Sequence, residues 1–564
     1  MTALLFRSTA ITAAVLALAA CGPAPDSGNR TTDTVDEERS LRTESPQAVA
    51  EFEDGIAGGI AVAPTIVAGE PMPMPLPPPQ YDPFSEQYED VDLNPVHLVS
   101  EDPVSTFSSD VDTAAYANVR RYITDGQTPP RDAVRIEEMI NYFDYDYAGP
   151  EDAVPPFAAT VAVAPTPWNE HTQILHIGIQ GYDIDLSERP RANLVFLVDV
   201  SGSMEGSDRL PLLQQSLRML TEQLQDDDTV SIVTYAGGVR VVLEPTPGSQ
   251  RNRILAAIDH LQSGGSTAGA AGIEQAYELA RRNFDEDAVN RVILGTDGDF
   301  NVGIADPNRL EDYIAEQRET GIYLSILGFG RGNLNDLLMQ RLAQAGNGNA
   351  AYIDGLLEAR RVLVDEMSST LFPIADDLKI QVEFNSAVVA EYRLIGYETR
   401  ALNREDFNND QVDAGDIGSG HSVTAIYEIV PVDSPARLVD DLRYGDGGTA
   451  PVIESDGAHA GEYAFLRIRY KLPGEDTSRL IERPITVADV YETIDAAPES
   501  TRFAAAVAAF GQLLRGDPYL GSFGFDDVYA LAQGARGDDP FGLRAEFVQL
   551  VRTAEVSQPQ VGQR

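Results

Sequence analysis

Between residues 190 and 372 the sequence alternates short apolar runs with longer stretches that repeat apolar residues every three or four positions. The short runs fit strands near 193–199, 229–235, 239–243, 291–296, 322–328 and 350–353. The longer stretches fit helices near 209–225, 251–261, 268–283, 309–319, 334–344 and 356–371. Strands that alternate with helices build a parallel sheet covered by helices on both faces. We therefore predict an α/β fold with a doubly wound, Rossmann-like sheet in this segment.

The first of these strands ends in residue types that can bind a cation. The apolar run 194–198 is followed by Asp199-Val200-Ser201-Gly202-Ser203 and then by a helical stripe. In a sheet with the strand order 3-2-1-4-5-6, this strand lies beside the fourth strand, which ends in Thr296-Asp297-Gly298. Asp199 and Asp297 should therefore flank one crevice, and the loop before the third helix carries Thr267 to it.

The Asp-x-Ser-x-Ser motif, the loop threonine and the strand-end Thr-Asp-Gly, in this order, resemble the metal-ion-dependent adhesion site of a von Willebrand factor A domain. The resemblance covers about residues 170–372. It implies that Ser201, Ser203 and Thr267 bind a divalent cation directly or through water, while Asp199 and Asp297 hold the waters and hydroxyls in place. The expected ion is Mg²⁺, with Mn²⁺ or Ca²⁺ as alternatives, because hard oxygens suit it. The resemblance further implies that a partner protein supplies a carboxylate as the last ligand.

Two other interpretations of the first motif are possible. Asp and Ser are preferred helix caps, so Asp-x-Ser-x-Ser could simply begin a helix. A nucleophilic role for Ser201 is disfavoured, because the chain has no Gly-x-Ser-x-Gly elbow and none of its six histidines stands in a recognisable triad motif. We therefore expect that the protein is not an enzyme.

The N-terminus predicts export and lipidation. Arg7 precedes an apolar run from Ala10 to Ala20 that is too short to span a bilayer as a mature helix. The run ends in Leu18-Ala19-Ala20-Cys21-Gly22, which resembles the lipobox of bacterial lipoproteins. Residues 1–21 are then the signal peptide and Cys21, the only cysteine, is the lipidated residue; an ordinary signal peptide is the alternative. Glycine rather than aspartate after Cys21 resembles sorting to the outer membrane, facing the periplasm or the surface.

Residues 22–90 favour an extended tether over a folded domain. They are rich in polar residues and glycine and contain the proline-rich run 71–79, which favours polyproline II. The whole chain has 89 acidic and 41 basic residues, a net charge of −48. Phosphate binding needs basic patches, so we do not expect nucleic acids or anionic lipid headgroups as ligands.

Residues 91–155 are predicted to form a helical region. Asp112 and Thr113 can cap a helix that reaches about Ile123, and a second helix fits 132–143. The amino-acid sequence of residues 105–113 and 134–143 resembles the N-terminal region of a YfbK-like family of bacterial lipoproteins with von Willebrand A domains. Asp110 and Asp112 could instead be metal ligands.

The remaining segments predict a β-rich domain and a helical C-terminus. Strand patterns at 157–164 and 172–180, within 156–189, should pair with alternating strands at 378–384, 423–429 and 464–472, within 373–485. The A domain, 190–372, would then be inserted into an antiparallel β-domain. The acidic loop 406–416 lacks EF-hand spacing, so a solvated turn is expected rather than a Ca²⁺ site.

Residues 486–564 predict helices. An apolar stripe from Phe503 to Leu514 is stopped by Gly516, and two more helices fit 525–533 and 540–553. The run 501–519 resembles the C-terminal region of the same family. We expect a lipid-anchored envelope protein that binds a protein partner through a Mg²⁺-type adhesion site. The alternatives are an accessory protein that works with a MoxR-type ATPase, and a structural envelope protein with a degenerate metal site.

Overall fold

The computed structural model describes residues 86–557, except 91, 110–111, 152, 185–188, 266–268, 299–306, 367–368, 370, 413, 441–458, 460 and 476. The predicted positions Cys21, Asp110 and Thr267 lie outside the described residues. The strands in chain order are β1 His97–Leu98, β2 Val104–Ser108, β3 Phe157–Thr166, β4 Asn169–Gly181, β5 Arg191–Asp199, β6 Thr229–Tyr235, β7 Val239–Pro247, β8 Ala288–Thr296, β9 Ile322–Phe329, β10 Ala350–Ile353, β11 Pro373–Phe384, β12 Val389–Ile395, β13 Ile417–Gly418, β14 Ser422–Pro431, β15 Glu462–Lys471 and β16 Arg479–Thr486.

The α-helices are α1 Ala114–Thr124, α2 Ile136–Asn141, α3 Leu210–Glu222, α4 Arg251–Asp259, α5 Gly269–Arg282, α6 Pro307–Arg318, α7 Asp336–Ala345, α8 Leu356–Arg360, α9 Glu499–Arg515, α10 Phe525–Gly534 and α11 Leu543–Ser557. Within the described part of the chain, no helix is both long enough and apolar enough to cross a membrane.

A six-stranded sheet forms the centre of the predicted A domain. Its strand order is β10-β9-β8-β5-β6-β7, and all neighbours run parallel except β6 and β7. This sheet, called here the parallel sheet, confirms the predicted α/β fold and the order 3-2-1-4-5-6. β7 departs from the all-parallel expectation, because only a short turn joins it to β6 and a parallel neighbour needs a long crossover.

Helices cover both faces of the parallel sheet. Along β5, Leu194, Phe196 and Val198 pack with α3, α4 and α8, whereas Val195 and Leu197 pack with α5, α6 and α7. All five side chains are fully buried. A strand buried on both faces needs an unbroken apolar run, which is the pattern that the sequence showed.

Two antiparallel sheets form the β-domain. The first has the order β1-β12-β14-β4-β3, and the second has β13-β11-β15-β16 with β2 paired to β11. Their facing side chains share one apolar core, so they form a sandwich. The predicted pairing with 157–180 is correct for β14 alone. It is wrong for β11 and β15, which pair with each other, because alternation reveals the buried face of a strand but not its partner.

The C-terminal helices cover the outer face of the first antiparallel sheet. α9, α10 and α11 pack with α1 and α2 around one apolar core that includes Ile174, Ile395 and Ile426 of that sheet. The helical C-terminus predicted from the sequence is confirmed. α9 ends where expected, because Gly516 adopts the left-handed conformation at φ 74° that terminates helices.

Four local predictions are wrong. No side-chain cap begins α1, because Asp112 instead accepts a hydrogen bond from Ala350 N and pairs with Arg400. The helix predicted for 132–143 is a 3₁₀ turn followed by α2, since extended backbone at Arg135 separates them.

The helix predicted for 356–371 leaves α geometry after α8, where a π-helical turn spans Arg361–Asp365. The end predicted for the tether, residue 90, is wrong, because Glu86 contacts α1.

The acidic loop 406–416 is occupied by internal bonds. Asp410 accepts hydrogen bonds from Arg469 at 2.9 Å and from Ser478, and its carbonyl accepts one from Lys471. The side chain of Asn409 accepts a bond from Gln411 N, as in an Asx turn. The described part of this loop therefore has the turn that the sequence favoured.

Candidate metal site

The two predicted aspartates lie at the ends of neighbouring strands. β5 and β8 pair in parallel with Val198 opposite Gly295, so Asp199 at the end of β5 lies beside the end of β8. Asp297 follows β8 directly. Thr296 Oγ1 donates to Asp199 Oδ2 at 3.3 Å, which ties the two strand ends together. The strand order thus brings both acids to one crevice at the carboxyl edge of the sheet, where ligands bind in open α/β folds.

The loop after β5 presents two hydroxyl groups side by side. Ser201 N donates to Asp199 Oδ1 at 2.8 Å, which folds the loop back over the strand end. The Ser201 and Ser203 Oγ atoms are 2.8 Å apart. Adjacent ligands on an octahedral Mg²⁺ with bonds of about 2.0–2.1 Å are separated by about 2.9 Å. The donor set and its spacing therefore fit two neighbouring positions of an octahedral ion.

The loop that leads to Thr267 is bonded to the same turn. Gly264 N donates to Val200 O at 2.7 Å, and Gly202 N donates to Gly265 O at 3.0 Å. Gly265 has a φ of 96°, which L residues rarely adopt. These bonds join the chain just before Thr267 to both sides of Ser201, although Thr267 itself is outside the described residues.

The site is electrostatically short of positive charge. Asp199 is fully buried and Asp297 is 1% exposed. Burial, with a smaller contribution from the nearby Asp297, raises the pKa of Asp199 to about 6, although hydrogen bonds from Ser201 and Tyr235 lower it. Two buried carboxylates at one crevice make a bound cation favourable.

Arg209 is a residue of this site that the sequence did not reveal. Its guanidinium donates to Ser203 O at 2.7 Å and to Arg331 O at 2.8 Å, and its Nε is 4.0 Å from Asp297 Oδ2. It therefore joins the metal loop, the second aspartate and the loop after β9. No motif marks it; its only signal is a position immediately before α3.

Gly298 completes the strand-end motif for a steric reason. Its φ is 90°, and a Cβ atom at this position would lie 2.7 Å from Asn335 N and 2.9 Å from Asn333 O. Backbone cannot retreat from such contacts as a flexible side chain can. The glycine therefore allows the 333–335 backbone to pack directly against the turn that carries Asp297.

The geometry does not resemble a hydrolase site. Within the described chain the Ser201 hydroxyl is bonded to Ser203 Oγ, a partner that is not a general base. His176, the histidine with the clearest pKa shift, is enclosed elsewhere between Tyr147 and Thr501. The arrangement suits cation binding better than proton transfer.

Comparisons with protein families identify three segments. A family model described as "Uncharacterized protein YfbK, C-terminal" matches residues 369–556. A von Willebrand factor type A domain model matches residues 194–299, which hold β5 to β8 and the two aspartates. A model described as von Willebrand factor matches residues 82–176, which lie in the β-domain and its helices rather than in the parallel sheet.

Three individual proteins are similar to this chain. YfbK of Escherichia coli (strain K12) is 46% identical over 480 residues, which are 84% of this chain and 82% of that protein. The human inter-alpha-trypsin inhibitor heavy chain H3 is 22% identical over 321 residues, 54% of this chain and 35% of that one. The solved structure of a von Willebrand factor type A protein from Catenulispora acidiphila covers 73% of this chain and 91% of its own, at 14% identity and a TM-score of 0.40.

The extent of the identity to YfbK decides the classification. It covers 84% of the chain, and the YfbK C-terminal model separately matches residues 369–556, which hold the C-terminal helices. The parallel sheet is a von Willebrand factor type A domain, a module that typically serves in protein interaction. The chain therefore belongs to the YfbK family of proteins with a von Willebrand factor A domain.

Proposed function

We propose that this chain is a lipid-anchored protein of the bacterial cell envelope that binds a protein partner through a divalent cation held by its A domain. The observation that carries the proposal is the 2.8 Å separation of the Ser201 and Ser203 hydroxyls beside two buried aspartates. This arrangement supplies hard oxygen ligands together with an unbalanced negative charge, and it lies at the sheet edge where ligands bind.

The proposed ion is Mg²⁺, with Mn²⁺ or Ca²⁺ as alternatives. Ser201, Ser203 and Thr267 would ligate it directly or through water, and Asp199 and Asp297 would orient those hydroxyls and waters. Ca²⁺ favours six to eight ligands, often with carboxylates, whereas Mg²⁺ keeps several waters and needs few protein ligands. The small number of protein oxygens therefore favours Mg²⁺.

The ion would supply a positive charge that accepts a carboxylate from the partner. Solvent can reach this side of the site, because Gly202 is exposed and Ser203 is only half-buried. The net charge of −48 would repel an acidic partner at long range. Screening within about 8 Å at physiological salt confines that repulsion, so the ion dominates at contact.

The same features support two exclusions in the proposal. We assign no catalytic role to Ser201, because its hydroxyl is bonded to another serine rather than to a base. We assign no nucleic-acid ligand, because 89 acidic residues outnumber 41 basic ones.

The anchoring part of the proposal rests on Cys21 and the lipobox-like sequence before it. Since Cys21 is the only cysteine, incorporation of a labelled fatty acid can be assigned without ambiguity. We expect the chain expressed in a Gram-negative bacterium to take up the label and to fractionate with the outer membrane. Cys21→Ser should take up none; equal labelling of this variant would refute the anchor.

Partner chemistry can be tested with Mn²⁺ as a probe. Water-proton relaxation of the Mn²⁺-loaded protein should fall when acetate is added, because a carboxylate displaces bound water. Acetamide, which has the same size but no charge, should have little effect. Acetate that leaves the relaxation unchanged would contradict the carboxylate ligand. Wild-type protein that binds no Mn²⁺ would favour a structural envelope protein with a degenerate site.

A further inference from the structure

Glu86 is bound tightly to α1 and also contacts the A domain. The carboxylate of Glu86 accepts two hydrogen bonds from Arg121, each 2.7 Å long, and further bonds from the hydroxyls of Tyr88 and Tyr122. It also accepts one from Gly332 N at 2.9 Å. The Glu86 side chain is only 4% exposed. A carboxylate with this many charge-assisted and neutral donors is firmly positioned.

The next residue binds the same loop through its backbone. Gln87 N donates to Leu334 O at 3.1 Å, and Gln87 O accepts from Asp336 N at 3.1 Å. The two residues therefore hold both sides of the loop 330–336, which connects β9 to α7. We call this loop the buttress loop and the segment Glu86–Gln87 the clamp.

The buttress loop in turn forms one wall of the metal site. Its Arg331 carbonyl accepts a hydrogen bond from Arg209, whose other amino group bonds Ser203 O. On the other side, the loop backbone from Asn333 to Asn335 packs against Gly298, so closely that a Cβ atom there would lie 2.7 Å from it. Both halves of the metal site, the serine loop and the Asp297 turn, therefore contact the buttress loop, which the clamp binds.

We propose that the clamp is a positioning element for the metal site, so that release of Glu86–Gln87 from the buttress loop lowers the affinity for the divalent cation. The proposal rests on the proposed metal-binding function and adds a means of control to it. In the sequence, the residues before Glu86 connect the clamp to Cys21, the proposed site of lipid attachment.

The clamp is suited to a switch because a single carboxylate, that of Glu86, makes most of its bonds. Glu86 is ionised, since hydrogen bonds and charge from Arg121 hold its pKa at about 2 against the effect of burial. Gln87 is exposed and contributes two backbone bonds of ordinary length. A partner that binds the preceding segment could therefore withdraw the clamp without unfolding the parallel sheet, because neither residue belongs to that sheet.

The test replaces Glu86 by Gln in the full chain and measures two quantities. Amide hydrogen exchange of the metal-free protein should become faster at Gly332 and also at Ser201, Gly202 and Gly298. Mn²⁺ affinity, measured from the paramagnetic signal of the free ion, should fall at least fivefold, the lower end of typical coupling between sites.

The matched control is Glu398→Gln. Glu398 is 6% exposed and pairs with Arg515 of α9 at 2.9 Å, so its loss of charge is similar, but neither residue belongs to the metal loops or to the buttress loop. It should change neither the exchange of the metal-loop amides nor the Mn²⁺ affinity. Gln87→Pro provides a second variant, because it removes the N–H donor to Leu334 and leaves the Glu86 ion pair in place.

The outcomes separate the two proposals. Faster exchange confined to the buttress loop, with unchanged Mn²⁺ affinity and unchanged exchange at Gly202 and Gly298, would overturn the clamp. If wild-type protein binds no Mn²⁺, the proposed metal function fails. Amide exchange at Gly202 and Gly298 in Glu86→Gln then still shows whether the clamp positions the metal loops. If Glu86→Gln does not fold, Gln87→Pro decides it by the same measurements.

Discussion

Replacing Asp199 by Asn should stabilise the metal-free protein, although most substitutions of a fully buried residue destabilise. Burial, with a contribution from Asp297, raises the pKa of Asp199 to about 6 from an ordinary value of 3.8. At pH 7.5 the carboxylate is ionised in both the folded and the unfolded chain. The pKa difference then corresponds to a folding cost of about 3 kcal/mol, at 1.36 kcal/mol per tenfold change.

The sign follows from proton linkage. The folded state holds a proton on Asp199 more tightly than the unfolded state does, so this group's contribution to stability falls as pH rises from about 4 to about 6 and stays low above that. An Asn side chain never ionises and keeps an oxygen that can accept the bond from Ser201 N. Removal of the charge should therefore increase the free energy of unfolding by up to about 3 kcal/mol in the absence of metal.

Differential scanning calorimetry at pH 7.5 measures this effect. In EDTA, Asp199→Asn should raise the melting temperature of the A domain by several degrees, since about 1 kcal/mol shifts a domain of this size by about 2–4 °C. With Mg²⁺ at a hundred times its dissociation constant, the wild type should gain about 2.7 kcal/mol, and the variant should gain nothing.

Asp228→Asn is the control, and it should lower the melting temperature instead of raising it. Asp228 is also fully buried in the A domain, but Arg189 pairs with both of its oxygens and Ala192 N donates to it. Loss of that charge leaves a buried arginine without its partner, which costs about 3–5 kcal/mol. A metal-free Asp199→Asn protein that melts below the wild type would refute the argument that the ionised Asp199 carboxylate destabilises the empty site.

Three further changes have defined outcomes. Acidification from pH 6.5 to 4.5 should cost about 2 kcal/mol of stability through His176, because burial lowers its folded pKa to about 3 while the unfolded chain takes up the proton near its ordinary pKa. The melting temperature of His176→Gln, measured relative to the wild type, should therefore rise as the pH falls through this window. Arg120→Met should lower the melting temperature by an amount equivalent to about 3–5 kcal/mol, because the partly buried Asp354 and Glu546 lose the cation that pairs with them and Glu358 keeps only Arg361. Arg218→Met, at an exposed pair, should change the melting temperature little. Gly298→Ala should weaken Mn²⁺ binding at least tenfold, because the new Cβ atom displaces the Asn335 backbone. A calorimetric titration measures this change. Unchanged affinity would show that the turn carrying Asp297 adapts to the extra atom.

The A domain could be read from the sequence because its signals are local. Unbroken apolar runs mark strands buried on both faces, and right-handed crossovers leave few ways to order them. The neighbouring positions of Asp199 and Asp297 followed from that order alone. The spacing of Ser201 and Ser203 suggested a shared ligand, and their hydroxyls lie 2.8 Å apart.

The β-domain was only partly predictable because strand pairing is not local. The alternation along β11 and β15 showed that one face of each is buried, but it fits either sheet of a sandwich equally well. β2 was missed because the sequence of Val104–Ser108 contains three hydroxyl residues and shows no apolar alternation. Its partner, β11, lies more than 250 residues away in the chain.

The supports of the metal site were the least visible from sequence. Arg209 acts through two backbone carbonyls, which carry no side-chain signature. Glu86 stands just after a proline-rich run that is typical of a tether, and the residues that bind it are at positions 88, 121, 122 and 332. The aromatic residues Tyr81, Phe84 and Tyr88 are a sequence signal that this segment differs from a solvated tether.

The central claim is that the serine pair and the two aspartates hold a divalent cation. Isothermal titration of Mg²⁺ and Mn²⁺ into the wild type, Ser201→Ala and the nearby exposed-site variant Ser207→Ala tests it most directly. The account predicts one saturable site in the wild type and in Ser207→Ala, and its loss in a folded Ser201→Ala protein. Equal binding by all three proteins, or no binding by the wild type, would contradict it.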